Sequence, residues 1–362
     1  MVPRSLRTLL MASLTAAAVA GGPALAQQAP VPQQAPVPSL TAPVIEPKRA
    51  DDPTLIPNFR DGLRETVQTL SDYAKGRSRS FVIVVRQGLG LLIHSTWEAK
   101  FQALVAEGKD DVRLTKAGTL KRRFVQSIDG VFLDGQYCAD PKTASPGYLD
   151  LLRESALVGI VVDHCGEAKA AREAYTQARK DGLLPHVDAG KGPLARIPGG
   201  APFGENSDNV TSLAKARNIL VVDGNDAYAT KQDWLLALRR TNHDVLVIDP
   251  FHRDREPLSN TEVADLKTKH LGSRRLVLAR LHVAEAADTR WYWKRDWTPG
   301  EPEWLGDELP DRPGVHAVQY WHPAWRAIIG QAFSGIMQLG FDGVVLEGME
   351  AYQPLEDGIE LK

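Results

Sequence analysis

The sequence predicts an α/β protein of the (β/α)8 TIM-barrel class, on three observations. Eight short apolar runs recur along the chain, segments of helical period lie between them, and the runs finish on polar or acidic residues. Runs rich in Val, Ile and Leu without strict alternation read as strands buried on both faces. Strands alternating with helices mean βα units and a parallel sheet, and eight such units suit a closed barrel. An open doubly wound sheet is the alternative, but no GxGxxG follows the first run, so a dinucleotide site lacks its main support.

Residues 1–26 are expected to be a secretory signal peptide rather than fold. Arg4 and Arg7 form a positive start, residues 9–20 are apolar, and Ala24-Leu25-Ala26 is a small-x-small cleavage site. A membrane anchor is the other reading, for which the apolar stretch is short. Residues 27–52 hold the near-repeat QQAPVP and read as an extended Pro/Gln/Ala-rich linker. The fold is then expected over 53–362 as a single catalytic-type domain, exported to the periplasm or secreted. No later run reaches transmembrane length.

Each element follows in order. A helix is predicted over 58–75, with Phe59, Leu63, Val67 and Leu70 on one face. Strands follow at 81–86 (FVIVVR), 128–134 (IDGVFLD) and 157–163 (LVGIVVD). A helix rich in alanine and charge spans 165–181, then come strands 183–187 (LLPHV) and 218–223 (NILVVD). A helix over 231–240 leads to strand 244–249 (DVLVID), and a helix over 262–270 leads to the run 275–285 (RLVLARLHVAE). The last unit is a helix over 323–339 and strand 341–347 (FDGVVLE).

Seven runs end in or beside Gln87, Asp134, Asp163, Asp223, Asp249, Glu285 and Glu347, and His186 and Asp188 flank the end of the eighth. A barrel does its chemistry at the C-terminal ends of its strands, and a charge ending a buried strand is costly unless paired or solvated. Some of these acids are expected to cap the next helix or turn instead. Cys138 and Cys165 follow the ends of neighbouring strands and are expected to form a disulfide, suited to an oxidising compartment, with two free thiols as the alternative.

Charge narrows the function. With 43 Lys and Arg against 45 Asp and Glu, net −2, the chain has no basic excess for a general nucleic-acid binder. No GxSxG, HxxxH or HExxH is present; the histidines read as unrelated, and no metal or cofactor is expected. Five of the eight tryptophans, Trp291, Trp293, Trp297, Trp304 and Trp321, fall within a short stretch, and Trp325 follows. Such a cluster beside acids suits sugar stacking; packing of a long loop is the alternative.

Three stretches carry a family resemblance: HVAEAADTRWYW (282–293), YWHPAW (320–325) and GFDGVVLEGMEAY (340–352). They resemble the SIGEAEDYRxYW, YWDPxW and GFDGVYLDxxDAY patterns of the endo-α-1,4-polygalactosaminidase-like glycoside hydrolases, family 114, and their uncharacterised bacterial and archaeal relatives. The stretch 58–88 (NFRDGLRETVQTLSDYAKGRSRSFVIVVRQG) resembles the family's segment ending in a strand and Asn-Gly or Gln-Asn-Gly, and IDGVFLDGQY its IDGVxxE strand, so the resemblance spans about residues 58–352. Characterised relatives place the GFDGV strand first; here it comes last, so the resemblance implies a circularly permuted strand order.

The resemblance further implies retaining hydrolysis of a polysaccharide or oligosaccharide by two carboxylates, with Glu347 as nucleophile and Asp134 as acid/base. The two acid types are exchanged relative to the family, which leaves a catalytically inactive, polysaccharide-binding barrel as the alternative. Asp163, Asp249, Glu285, Arg290, Tyr320, Trp321 and Tyr352 are the expected substrate residues, with Glu285 bonded to sugar or paired with Arg290. His322 replaces the Asp of YWDP.

Overall fold

Along each of the eight strands, alternate residues face two different cores. The computed structural model describes residues 56–361 apart from 108, 110, 140–145 and 191. The expected leader and linker lie outside these residues. The strands are β1 (Val82–Arg86), β2 (Gly130–Asp134), β3 (Val158–His164), β4 (Leu184–Asp188), β5 (Ile219–Val221), β6 (Val245–Ile248), β7 (Leu276–His282) and β8 (Gly343–Glu347). All pairs are parallel, in the order β4-β3-β2-β1-β8-β7-β6-β5. The sheet is thus the nearly closed wall of a (β/α)8 TIM barrel. β8 lies beside β1, the neighbour relation on which a permuted order depends.

No ladder joins β4 to β5. The His186 ring spans that seam: its Nδ1 is 3.2 Å from the Ile219 carbonyl and 3.3 Å from the Val221 amide.

The lumen holds Val82, Val84, Phe132, Ile160, Val162 and Val345 with their counterparts on the other strands. Val210, Leu213 and Ala216, from the segment between β4 and β5, join this core, and Val210 N–H donates to the Arg274 carbonyl just before β7. The segment therefore floors the barrel where a helix would otherwise stand. The opposite faces, including Ile83, Val85, Val131 and Leu133, pack under the helices.

The helices are α1 (Phe59–Lys75), α2 (Thr96–Val105), α3 (Arg122–Ser127), α4 (Pro146–Glu154), α5 (Ala168–Lys180), α6 (Lys231–Arg239), α7 (Asn260–Leu266), α8 (Pro323–Gln338) and α9 (Tyr352–Asp357). α1 buries Leu63, Val67, Leu70 and Ala74 on one stripe and packs against α3, α8 and α9. It fills the outer position beside β8 and β1 that the short α9 cannot cover. The run 275–285 divides into β7 and a short strand, Glu285–Ala287, which joins Leu305–Leu309 and Arg312–Val318 in a separate antiparallel sheet. Among the described residues, no helix is long and apolar enough to cross a membrane.

Both Asp-Gly-Val motifs serve the N-terminal face. Asp129 accepts from the Ile83 amide at 2.8 Å and pairs with Lys75 at 3.0 Å. Asp342 accepts from the Val277 amide at 2.9 Å and pairs with Lys267 at 2.9 Å. The glycines allow close approach: a Cβ on Gly343 would lie 2.3 Å from the Val82 carbonyl oxygen, and one on Gly130 2.7 Å from that of Val158. These residues set strand register rather than perform chemistry.

Candidate active site

Lumen-facing parity decides which strand-end residues meet. Continuing the lumen positions by twos leads to Arg86 on β1, Asp134 on β2, Asp223 beyond β5, Asp249 beyond β6, Arg280 and His282 on β7, and Glu347 on β8. These residues form one charged layer over the apolar lumen.

Arg86 is its centre. Its Nε and Nη2 each donate to Asp134 at 3.0 Å, a two-pronged pair, while Nη1 donates to Asp223 at 2.8 Å and to Glu347 at 3.1 Å. Glu347 also accepts from Arg280 Nε and Nη2 at 3.1 Å, and His282 Nε2 lies 2.6 Å from its other oxygen. Glu347 is only 3% exposed. Burial pushes its carboxyl up, but His282, Arg280 and Arg86 together hold it well below the ordinary carboxylate value. Glu347 and Asp134 accept from one guanidinium, which holds the two carboxylates side by side at the C-terminal face.

A fourth carboxyl stands beside this cluster. Glu350, half-buried after β8, is pushed up by burial and by the charge of Asp134. It shares a cavity of about 350 Å³ with Gln87, Phe132 and Tyr148. Gln87 also lines a second cavity of about 380 Å³ with Arg86, Asp134 and His164, and its φ of 61° is a left-handed conformation unusual for a side-chain residue. Neither Glu350 nor the basic ring of Arg86, Arg280 and His282 was marked by an ending acid run. Counting lumen parity through FVIVVR and LVLARLH would have found the three basic residues.

On the far side of His282 lies a groove of about 370 Å³, walled by Asp249, Phe251, Glu285, Arg290, Trp291 and one side of α8. Arg280 and His282 line this groove as well as bonding Glu347. Arg290 does not pair with Glu285. It donates to both oxygens of Asp249, at 3.0 and 2.6 Å, and reaches Asp254 at 3.1 Å. Glu285 instead takes Arg312, at 2.7 Å through Nη1 and through a second contact from Nη2, because the antiparallel sheet folds Arg312 back over it.

Of the other expected substrate residues, Asp163 lines the cavity that holds Asp134, and Tyr352 lines the one that holds Glu350. Asp163 has the opposite parity from His164. It is fully buried and accepts from the Tyr137 and Cys138 amides at 2.9 and 2.8 Å, so it shapes the loop after β2. Tyr320 is 1% exposed and its hydroxyl donates to the Phe59 carbonyl. Tyr352 is buried with the Arg60 guanidinium over its ring at 3.9 Å. Trp321 packs on Phe59, ring centres 5.3 Å apart.

The tryptophan cluster is mainly loop packing. Trp297, Trp304 and Trp325 are joined ring to ring at 5.0 and 4.9 Å, and Trp304 and Trp325 are buried. Trp291, 50% exposed, lines the groove. His322 replaces Asp as a helix cap: it is the N-cap of α8, its Nδ1 accepting from the Ala324 amide at 3.2 Å ahead of Pro323.

Cys138 and Cys165 are disulfide-bonded, their Cα atoms 5.0 Å apart, joining the loops after β2 and β3. Among the described residues one group offers metal-ligating atoms within 4.8 Å of one another: His164, His186 and Asp188.

Comparison with known proteins places part of this architecture. An uncharacterised protein of Methanocaldococcus jannaschii is 33% identical over 148 residues, 41% of this chain and 42% of the relative. One of Deinococcus radiodurans is 36% identical over 122 residues, 34% of this chain and 38% of its own. One of Thermotoga maritima is 34% identical over 76 residues, 21% and 24% of the two chains. The chain spans less than half the length of these curated relatives. The model of glycoside-hydrolase family GH114 matches residues 222–362, a stretch that holds Asp223, Asp249, Arg280, His282 and Glu347 but not Arg86 or Asp134. Over residues 222–362, the stretch that contributes Glu347 and two of its three basic partners, this TIM barrel is similar to the GH114 family.

Proposed function

We propose that the chain is an exported glycoside hydrolase that cleaves a microbial, galactosamine-containing polysaccharide by a two-carboxylate retaining mechanism. The observation that carries this reading is the sharing of Arg86 by Glu347 and Asp134 at the C-terminal face of the barrel. Retaining hydrolysis needs one ionised carboxylate as nucleophile and a second carboxyl as acid and then base. Glu347, held ionised by three basic groups, suits the nucleophile. Asp134, across the same guanidinium, takes the acid/base role. Asp249, Arg290 and Trp291 offer polar and stacking contacts for further sugar units along the groove. The secretory leader read in residues 1–26 supports export.

A specific observation favours a second assignment of the proton donor. Asp134 is committed to two hydrogen bonds from Arg86, whereas Glu350 is held toward its protonated form by burial and by Asp134. A pair of carboxyls pushed in opposite directions is the usual division of acid from nucleophile. The test compares Asp134→Asn with Glu350→Gln on a substrate with a poor leaving group and on an activated aryl glycoside. The proton donor is the residue whose loss lowers the first rate about 10²-fold or more and spares the second. If both variants lose both rates equally, neither is the donor. An inactive, sugar-binding barrel would show saturable binding of the polysaccharide and no product.

A further inference from the structure

We propose that His164, His186 and Asp188 form a binding site for one divalent cation of the zinc class, at the ends of β3 and β4. The three side chains share one carboxylate oxygen: His164 Nδ1 lies 2.9 Å and His186 Nε2 3.4 Å from Asp188 Oδ2. Metal-bound ligand atoms at about 2.0–2.2 Å from a central ion are separated by distances of this order, and two imidazoles with one carboxylate are the donor set of a zinc-class ion.

The strand parity that builds the Arg86 cluster also builds this one. His164 ends the lumen series of β3, and His186 and Asp188 end that of β4, so three potential ligands converge from two adjacent strands. The sequence shows no ligand spacing because the pairing of β3 with β4 brings His164 opposite Asp188. Reading the histidines as unrelated therefore fails at these two positions.

His186 supplies the independent observation. It is 4% exposed, and its buried Nε2, directed at the cluster, makes no well-aligned hydrogen bond; its polar neighbour is the Asp188 carboxylate at 3.4 Å. Its other nitrogen is 3.2 Å from the Ile219 carbonyl. A metal-bound histidine characteristically donates its second N–H to such a carbonyl, which fixes the ring and leaves the far nitrogen free to ligate. With a cation on Nε2, the proton stands on Nδ1 and the contact to Ile219 becomes a full donation. The Val221 amide, 3.3 Å from the same Nδ1, is the partner of the other tautomer. The site also has approaches: His164 lines the cavity of about 380 Å³ that holds Asp134, and His186 and Asp188 line another of about 190 Å³. Three protein donors leave the remaining coordination positions to water or to a ligand entering from these cavities. The ion would tie β3 to β4 beside the seam where the ladder stops.

The test is calorimetric titration of the purified chain, disulfide intact, with zinc chloride, followed by metal analysis after dialysis. One zinc per chain is expected. His164→Gln and Asp188→Asn are each expected to weaken binding by more than about 100-fold, since loss of an outer-shell partner alone costs 10–100-fold. Circular dichroism of both variants checks that they fold. Should they not, X-ray absorption of zinc-loaded wild type serves in their place, with two imidazole donors expected. Wild-type affinity no greater than that of either variant, or zinc ligated by other side chains, overturns the proposal.

Discussion

Replacing Arg86 with Met should cost about 3–5 kcal/mol of folding stability at neutral pH, as does breaking other buried ion pairs. Arg86 donates four hydrogen bonds to three carboxylates. Bonds to charged groups contribute about 1.5–3 kcal/mol each, so their gross worth is about 6–12 kcal/mol. Three effects reduce it. Arg280 and His282 remain on Glu347, the Leu194 amide remains on Asp223, and the arginine, 18% exposed at its side chain, gives back its own desolvation.

The pH dependence has a definite sign. Glu347 is held below its ordinary value in the fold, so it contributes stability above the unfolded carboxylate range and loses it as pH falls through its folded value. Without Arg86 this depression shrinks, and three carboxylates meet with less compensation. The deficit is full at pH 7.5 and shrinks toward pH 4, near the unfolded Asp and Glu values of about 4, as protons neutralise the variant's carboxylates. Thermal unfolding at both values, followed by circular dichroism, measures it. At about 2 °C per kcal/mol for a domain of this size, the melting point should drop about 6–10 °C at pH 7.5. A loss below about 1 kcal/mol, or a deficit that grows toward pH 4, would refute the reasoning.

Two further predictions concern stability. Lys269 and Asp244 form a wholly buried pair at 2.6 Å on the N-terminal face, where Lys269 also binds the carbonyls of Asn206 and Asp208. Lys269→Ala should cost about 3–5 kcal/mol in a denaturant melt and leave activity per folded molecule unchanged, because that face supports the fold rather than the chemistry. Opening the Cys138–Cys165 bond by Cys138→Ser should cost about 3–4 kcal/mol on loop-closure entropy for the 27-residue separation. Equal melting of the oxidised wild type and this variant would contradict that figure.

The strands were legible because each is a hydrophobic run long enough to cross the barrel wall, and all eight lie where the runs predict. The convergence of Asp134, Asp223, Asp249 and Glu347 was legible for the same reason: each ends a run at the C-terminal face. The hydrophobic runs do not carry side-chain direction. Asp163 ends its run as visibly as Asp134, yet its parity turns it behind the sheet onto the Tyr137 and Cys138 amides. The true partner of Glu285 was hidden because Arg312 approaches it through the fold of the antiparallel sheet. Tyr320 and most of the tryptophans carry motif letters that also serve packing, and composition cannot separate a stacked ring in a groove from one in a core. Short helices such as α3 and α9 span too few turns to leave a period in the sequence.

The proposed reaction is cleavage of a glycosidic bond with Glu347 as nucleophile. The direct measurement is release of reducing ends from an α-1,4-linked galactosaminan by wild type and by Glu347→Gln at equal concentration. A true nucleophile cannot be replaced by an amide, so the account predicts product from the wild type and a loss of about 10³-fold or more in the variant. Equal product from the two proteins would remove Glu347 from catalysis and contradict the account.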